Sequence, residues 1–174
     1  MSALRLINET IATDGVAEVN VTDVFSSDFD IYQITFTDLR TNSGADFNMR
    51  WLNTSGSAVT SSQYDRAKHY LPAGGTFGEV RNTNQNYIQR PADAFGYSSS
   101  GQTGFGSMYV FNPYSSSSYT FFIAQGGLKG GSNSTFAKDI GVLTETTSIS
   151  GFKFYVSTTF KTLNVRTYGL RVDS

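Results

Sequence analysis

Along most of the chain, apolar and polar positions alternate with a period of two, the pattern of a strand with one buried and one exposed face. Leu4 and Leu6 flank Arg5, and Val19 and Val21 face one way while Glu18 and Asn20 face the other. The turn Thr13-Asp14-Gly15 between them has hairpin chemistry, which predicts two paired strands. Phe29 to Phe36 is apolar on both faces in places, as expected of a central strand covered on each side by another sheet or a partner chain. In Ala45 to Trp51 the alternation is cleaner, with Phe47, Met49 and Trp51 opposite Asp46, Asn48 and Arg50. The link Thr41 to Gly44 again has hairpin composition.

Tyr64 to Tyr70 fits either a strand or one helical turn and ends at Pro72-Ala-Gly-Gly75. Further strands are expected at 85–90, 105–112, 118–125, 136–143, 150–157 and 160–172. Phe105, Ser107, Tyr109 and Phe111 alternate along one of these, and Tyr119, Phe121 and Ile123 along the next. Asn112-Pro113 forces the exit between them, because proline cannot donate to a central ladder and pushes the residue before it away from helix. The four serines 115–118 read as the wet loop of that hairpin, and the Gly/Ser stretches 98–107 and 126–134 as long loops. These readings describe one domain over 1–174, an all-β antiparallel sandwich of jelly-roll type with nine or ten strands. Residues 1–12 form a candidate docking arm carrying Leu4, Leu6, Ile7 and Ile11.

Composition agrees: 14 Phe, 10 Tyr and 17 Gly suit pleated surfaces and tight connections. With 174 residues a core forms without staples, and there are no cysteines to supply a disulfide or a thiolate metal site. A net charge of −1, with its 13 basic residues scattered, argues against nucleic acid. No apolar run has the length of a spanning helix, and the N-terminus lacks the form of a signal peptide, so a chain made in the cytoplasm without export is expected.

Candidate chemistry is sparse. His69 is the only histidine, which leaves one base for a triad and none for a histidine-pair metal site. Carboxylates such as Asp28, Asp30, Asp38 and Asp93 sit beside strand ends or turns, where a solvated surface role is expected, although a glycosidase would need just such a pair. Gly126 to Ser132 lacks phosphate-loop spacing, and Asp28-Phe-Asp30 heads a strand instead of a calcium loop. No enzyme activity, cofactor or metal is expected. Trp51, Tyr64, Tyr70, Tyr87 and Tyr97 lie near polar loop residues and are candidates for gripping a sugar, against the alternative that they fill a core or subunit interface.

Four segments carry a family likeness: Ser2-Ala-Leu-Arg-Leu-Ile7, Tyr32-Gln-Ile-Thr-Phe36, Val110-Phe-Asn-Pro113 before a Ser/Tyr loop, and Thr167-Tyr-Gly-Leu170. In these the chain resembles small virion structural proteins of tailed bacteriophages, marine ones especially. The resemblance implies a β-sandwich on the particle exterior, as capsid decoration or tail-fibre component, bound to other virion proteins and to copies of itself, with a trimer the usual symmetry and cyclic symmetry of another order open. It implies no catalytic residues, and for a tail-fibre module it implies a host surface glycan as ligand.

Overall fold

A computed structural model of the chain describes residues 3–99, 101–131 and 133–171. The strands are β1 (Ala3–Ala12), β2 (Glu18–Val21), β3 (Ile31–Thr41), β4 (Ala45–Asp46) and β5 (Asn48–Asn53). They continue with β6 (Tyr64–Pro72), β7 (Gly78–Gln85), β8 (Ile88–Gln89) and β9 (Phe95–Gly96). The last five are β10 (Thr103–Phe111), β11 (Thr120–Gly130), β12 (Asn133–Leu143), β13 (Ile149–Tyr155) and β14 (Phe160–Arg171). A single 3-10 turn spans Pro91–Asp93.

The fold is an all-β antiparallel sandwich. Its large sheet has eight strands in the order β1-β14-β3-β10-β11-β12-β6-β7, and its small sheet four, β2-β13-β5-β8, with β4 and β9 forming a short extra pair. The two inner faces meet in an aromatic seam. Phe36 from the large sheet lies 5.1 Å from Phe47 and 5.6 Å from Phe154, and Phe47 lies 4.5 Å from Phe154. Trp51 on β5 reaches Phe122 on β11 at 6.5 Å. Tilted and edge-to-face pairs of this kind add about 0.5–1.5 kcal/mol each beyond the area they bury.

Alternation located the strands, and the hairpin expected across Asn112-Pro113 forms, with β10 paired to β11; the partners differ at the two other expected hairpins. β1 pairs with β14 and β2 with β13, so Thr13-Asp14-Gly15 carries the chain between sheets. Thr41 to Gly44 likewise leaves β3, which pairs with β10 and β14, for β4 and β5, which pair with β9, β13 and β8. Tyr64 to Tyr70 is strand throughout, and β7 starts at Gly78, well before the expected 85. Of the Gly/Ser stretches expected as loops, 98–107 is strand from Thr103 on, and most of 126–134 is strand. Their glycines are there for close packing: a Cβ on Gly106 would stand 2.2 Å from the Phe36 ring, and one on Gly130 would stand 2.4 Å from the Tyr97 ring. Asn112 does end β10, at φ 53, and Ser116 and Ser117 are exposed in the loop that follows.

The expected arm is not separate from the sandwich. Within the described residues of 1–12, β1 runs paired along β14 from Ala3 to Ala12, with one bulge between Leu6 and Asn8. Ile7 packs against the core, whereas Leu4, Leu6 and Ile11 remain exposed on the outer face.

Trp51 is fully buried in the seam, so it contributes as core. Truncation should therefore act on stability: Trp51→Ala is expected to cost about 3–5 kcal/mol, as large aromatic deletions in cores do. Urea unfolding followed by tyrosine fluorescence checks this, and a loss under about 1 kcal/mol would contradict the assigned packing.

Candidate functional site

Of the five aromatic residues proposed to grip a sugar, Trp51 and Tyr64 are 0% and 2% exposed and offer no face to a ligand. The Tyr64 hydroxyl donates to the Val59 carbonyl at 3.0 Å and accepts from the Trp51 amide at 3.1 Å, and burial pushes its pKa up. These two are corrected from surface to core, because Trp51 shares an inward face with Phe47 and Met49, and Tyr64 opens β6 on the inward side. The remaining three are half-buried and do not converge. Tyr87 pairs with Tyr155 at 6.3 Å beside the Arg50 guanidinium, Tyr97 packs on Phe95 at 5.0 Å, and Tyr70 lines a cleft at the far end of the large sheet.

That cleft follows from the unequal widths of the sheets. Four strands do not cover eight, and the inner side of β12, β6 and β7 is closed by the segment 89–93, whose turn packs on β11 and β12. Three non-glycine residues there hold positive φ, Arg90 at 49°, Ala92 at 54° and Asp93 at 57°, a strained run that persists because its surroundings fix it. It carries Asp93 inward to Lys68 at 2.6 Å and to Arg90 at 3.2 Å. The surface role expected for Asp93 is thereby corrected: the residue is 5% exposed. Beside it, Arg66 donates to the fully buried Asp139 at 3.0 Å.

The result is a packed ion cluster bordering a cleft of about 310 Å³ that Tyr70, Gln89, Arg90 and Val80 also line. Burial raises the Asp139 carboxyl to about 6, against the pull of Arg66 and Lys68. Burial also lowers the Lys68 ammonium, against its hydrogen bond to Asp93. Asp139 has the protonation behaviour of a general acid, yet no accessible surface through which to meet a substrate. The geometry therefore fits a structural plug, with each acid held by a cation. His69 stands on the opposite, outer face of β6, 5.1 Å from the Phe77 ring and in register with Glu79. Among the described residues no group of three metal-ligating side chains converges.

The outer face of the large sheet is the other distinctive surface, and registers across the strands define it. Leu4, Leu170, Ile31, Phe111, Phe121 and Val142 form one continuous row over six strands. The next row reads Leu6, Tyr168, Gln33, Tyr109, Ile123 and Ile140. A third is polar, from Glu9 and Arg166, ion-paired at 2.7 Å, through Thr35, Ser107 and Gln125 to Lys138. Beyond it Phe105 and Phe136 stand on either side of Gly127, framing an open hollow of about 470 Å³ with Thr35, Thr37, Ser107 and Gln125. The large side chains are exposed, Phe121 at 45% and Ile140 at 51%. The small sheet's outer face is more polar: Glu18, Asn20, Arg50 and Lys153 surround the half-buried Tyr155, and Lys153 pairs with Glu18 at 2.8 Å.

The signal for this face was in the alternation. The positions singled out along 105–111 and 119–123 are the outward set, while the inward set is Gly104, Gly106, Met108 and Val110, followed by Thr120, Phe122 and Ala124. Asp139 and Lys68 carried no comparable signal, since alternation alone assigns charged residues to the wet side. Comparison with known proteins gives no matching family model, and neither a curated protein nor a solved structure is significantly similar.

A double substitution tests the plug. Arg66→Met leaves Asp139 buried without its partner and should cost about 3–5 kcal/mol, whereas Arg66→Met with Asp139→Leu should recover most of that loss. Denaturant unfolding of the three chains checks it, and equal losses in single and double variants would contradict the pairing. The raised Asp139 pKa also has a sign. The folded protein holds this proton more tightly than the unfolded chain, so Asp139 lowers stability as pH rises from about 4 to about 6. Asp139→Asn should flatten that part of the stability profile.

Proposed function

We propose that the chain is a non-enzymatic structural protein of a phage virion, displayed on the particle exterior and bound to other virion subunits, copies of itself among them, with the outer face of its large sheet as a contact surface. The observation that carries this reading is the uninterrupted apolar row over six strands. Isolated exposed apolar residues are ordinary, but a contiguous apolar patch of this extent marks an interaction surface. The contrast with the charged outer face of the small sheet gives the molecule a side for contact and a side for water. The four-segment resemblance to virion proteins supplies the assembly. Its synthesis belongs to the host cytoplasm.

A second reading, a glycan-binding module of a tail fibre, is favoured by the hollow that Phe105 and Phe136 border beside Ser107 and Gln125. The Phe136 ring covers Gly127, so the open part of the hollow lies over Ser107 and Gln125, with Phe105 and Phe136 as its apolar border. Side chains of Thr35, Thr37, Ser107 and Gln125 lie within reach of a sugar's hydroxyls there. The two readings make opposite demands on the hollow, filled by a subunit or open to a sugar.

Quantitative mass spectrometry of purified particles, normalised to the major capsid protein, separates the assemblies. Copies comparable to the shell lattice are expected for decoration, a few to a few tens for a tail component, and absence from particles overturns the virion reading. For the second reading, titration with host surface polysaccharide should show binding that Phe105→Ala and Phe136→Ala each weaken by about tenfold, the scale of one lost aromatic contact. No binding by the wild-type chain removes that reading.

A further inference from the structure

We infer that the outer face of the large sheet is a homotypic interface, covered by the same face of a second copy. This deepens the subunit-binding reading above and rests on it. The size of the face suits this occupant. Six strands at about 4.8 Å and three rows at about 6.8 Å, two apolar and one polar, outline a plane of about 600 Å² before side-chain relief is counted. A standard stable interface takes about 800 Å² from each partner. A two-fold contact uses one patch twice and must therefore be complementary to itself.

The row order meets that condition. With a two-fold axis lying across the strands, between the first two rows, each row of one copy lies over the other row of its partner. Phe121 then meets Ile123 of the second copy, Val142 meets Ile140, Phe111 meets Tyr109 and Leu4 meets Leu6. Every strand crossing the interface presents an apolar pair except β3, where Ile31 meets Gln33, whose amide already donates to Ser107 at 3.0 Å. The polar row with Glu9, Arg166 and Lys138 falls at the rim, where solvent reaches it, giving the apolar centre and polar border of a protein interface. Edge pairing is the competing route for association of sheets. On the β7 edge, exposed Arg81 and Glu79 pair with each other at 2.8 Å and discourage it.

Sedimentation velocity of the purified chain from about 1 to 100 μM is the test, a range that brackets micromolar affinity. A dimer is expected. Phe121→Lys and Ile140→Lys should each weaken it by about tenfold or more, as charge at the centre of an interface does. Asn20→Lys, on the small sheet's outer face, should leave it unchanged. Mixing a Phe121→Lys chain with an Ile123→Glu chain should restore association, because the axis places those two positions together. Circular dichroism confirms that each variant keeps its strands, and restoration on mixing reports on the interface even where one variant is less stable alone. A monomer at all concentrations, or a dimer indifferent to both lysines, overturns the inference. A monomer that is nonetheless abundant in particles removes the homotypic contact and leaves the virion reading standing, whereas a dimer absent from particles does the reverse.

Discussion

The inner face of an eight-stranded sheet has to be covered, and the small sheet has four strands with which to do it. Over β14, β3, β10 and β11 the cover is aromatic, with Phe36, Phe47, Phe154 and Trp51 interlocking between the sheets. Past that seam the apolar cover thins to residues such as Tyr64, Leu143 and Ala92, and the chain turns to charge. Arg66 and Lys68 occupy inward positions on β6, Asp139 sits beside them on β12, and the 89–93 segment folds over to deliver Asp93. Buried ion pairs of this kind contribute little net stability over well-packed apolar residues, since desolvation offsets the attraction. Their effect is specificity, because a charge left in that position without its partner would be strongly unfavourable. The cluster thereby fixes which segment closes the open end.

The same width also creates the outer face. Strands running across the whole molecule expose one side each, and in this chain six of them place apolar residues there in register. Register makes the difference between scattered and contiguous exposure. A one-residue slip would have sent Phe121 and Ile140 inward and Phe122 and Asp139 outward. Glycines at the inward positions opposite Phe36 and Tyr97 hold that register, since no other residue fits beneath those rings.

Much of this was legible in the sequence, and the parts that were not have identifiable physical reasons. Alternation places strands because side-chain direction is a local property, so β10 and β14 were found nearly where they lie, while β3 and β11 were found but run five residues beyond their expected ends. Pairing is not local. Asp14-Gly15 and Ser43-Gly44 encode chain reversal equally well whether the next strand joins the same sheet or crosses to the other. Trp51 looked like a binding residue because an aromatic among polar neighbours has the same composition at a core edge as at a sugar site. Asp93 looked solvated because the left-handed turn that carries it inward is built from Arg, Ala and Asp, without the glycines that usually announce such a turn. In the candidate interface the apolar residues themselves were visible, while their merging into one face depended on six registers that only the assembled sheet fixes.

The two outer faces give the molecule a direction. Water solvates the Glu18, Lys153 and Arg50 side at no cost, whereas the opposite side holds large apolar groups whose transfer out of water is favourable by about 25 cal/mol per Å². In the proposed role the band has a use, because it would drive association in a single orientation and leave the more polar face outward. The asymmetry between the faces ties the fold to the proposed role, and it does so without invoking any catalytic group.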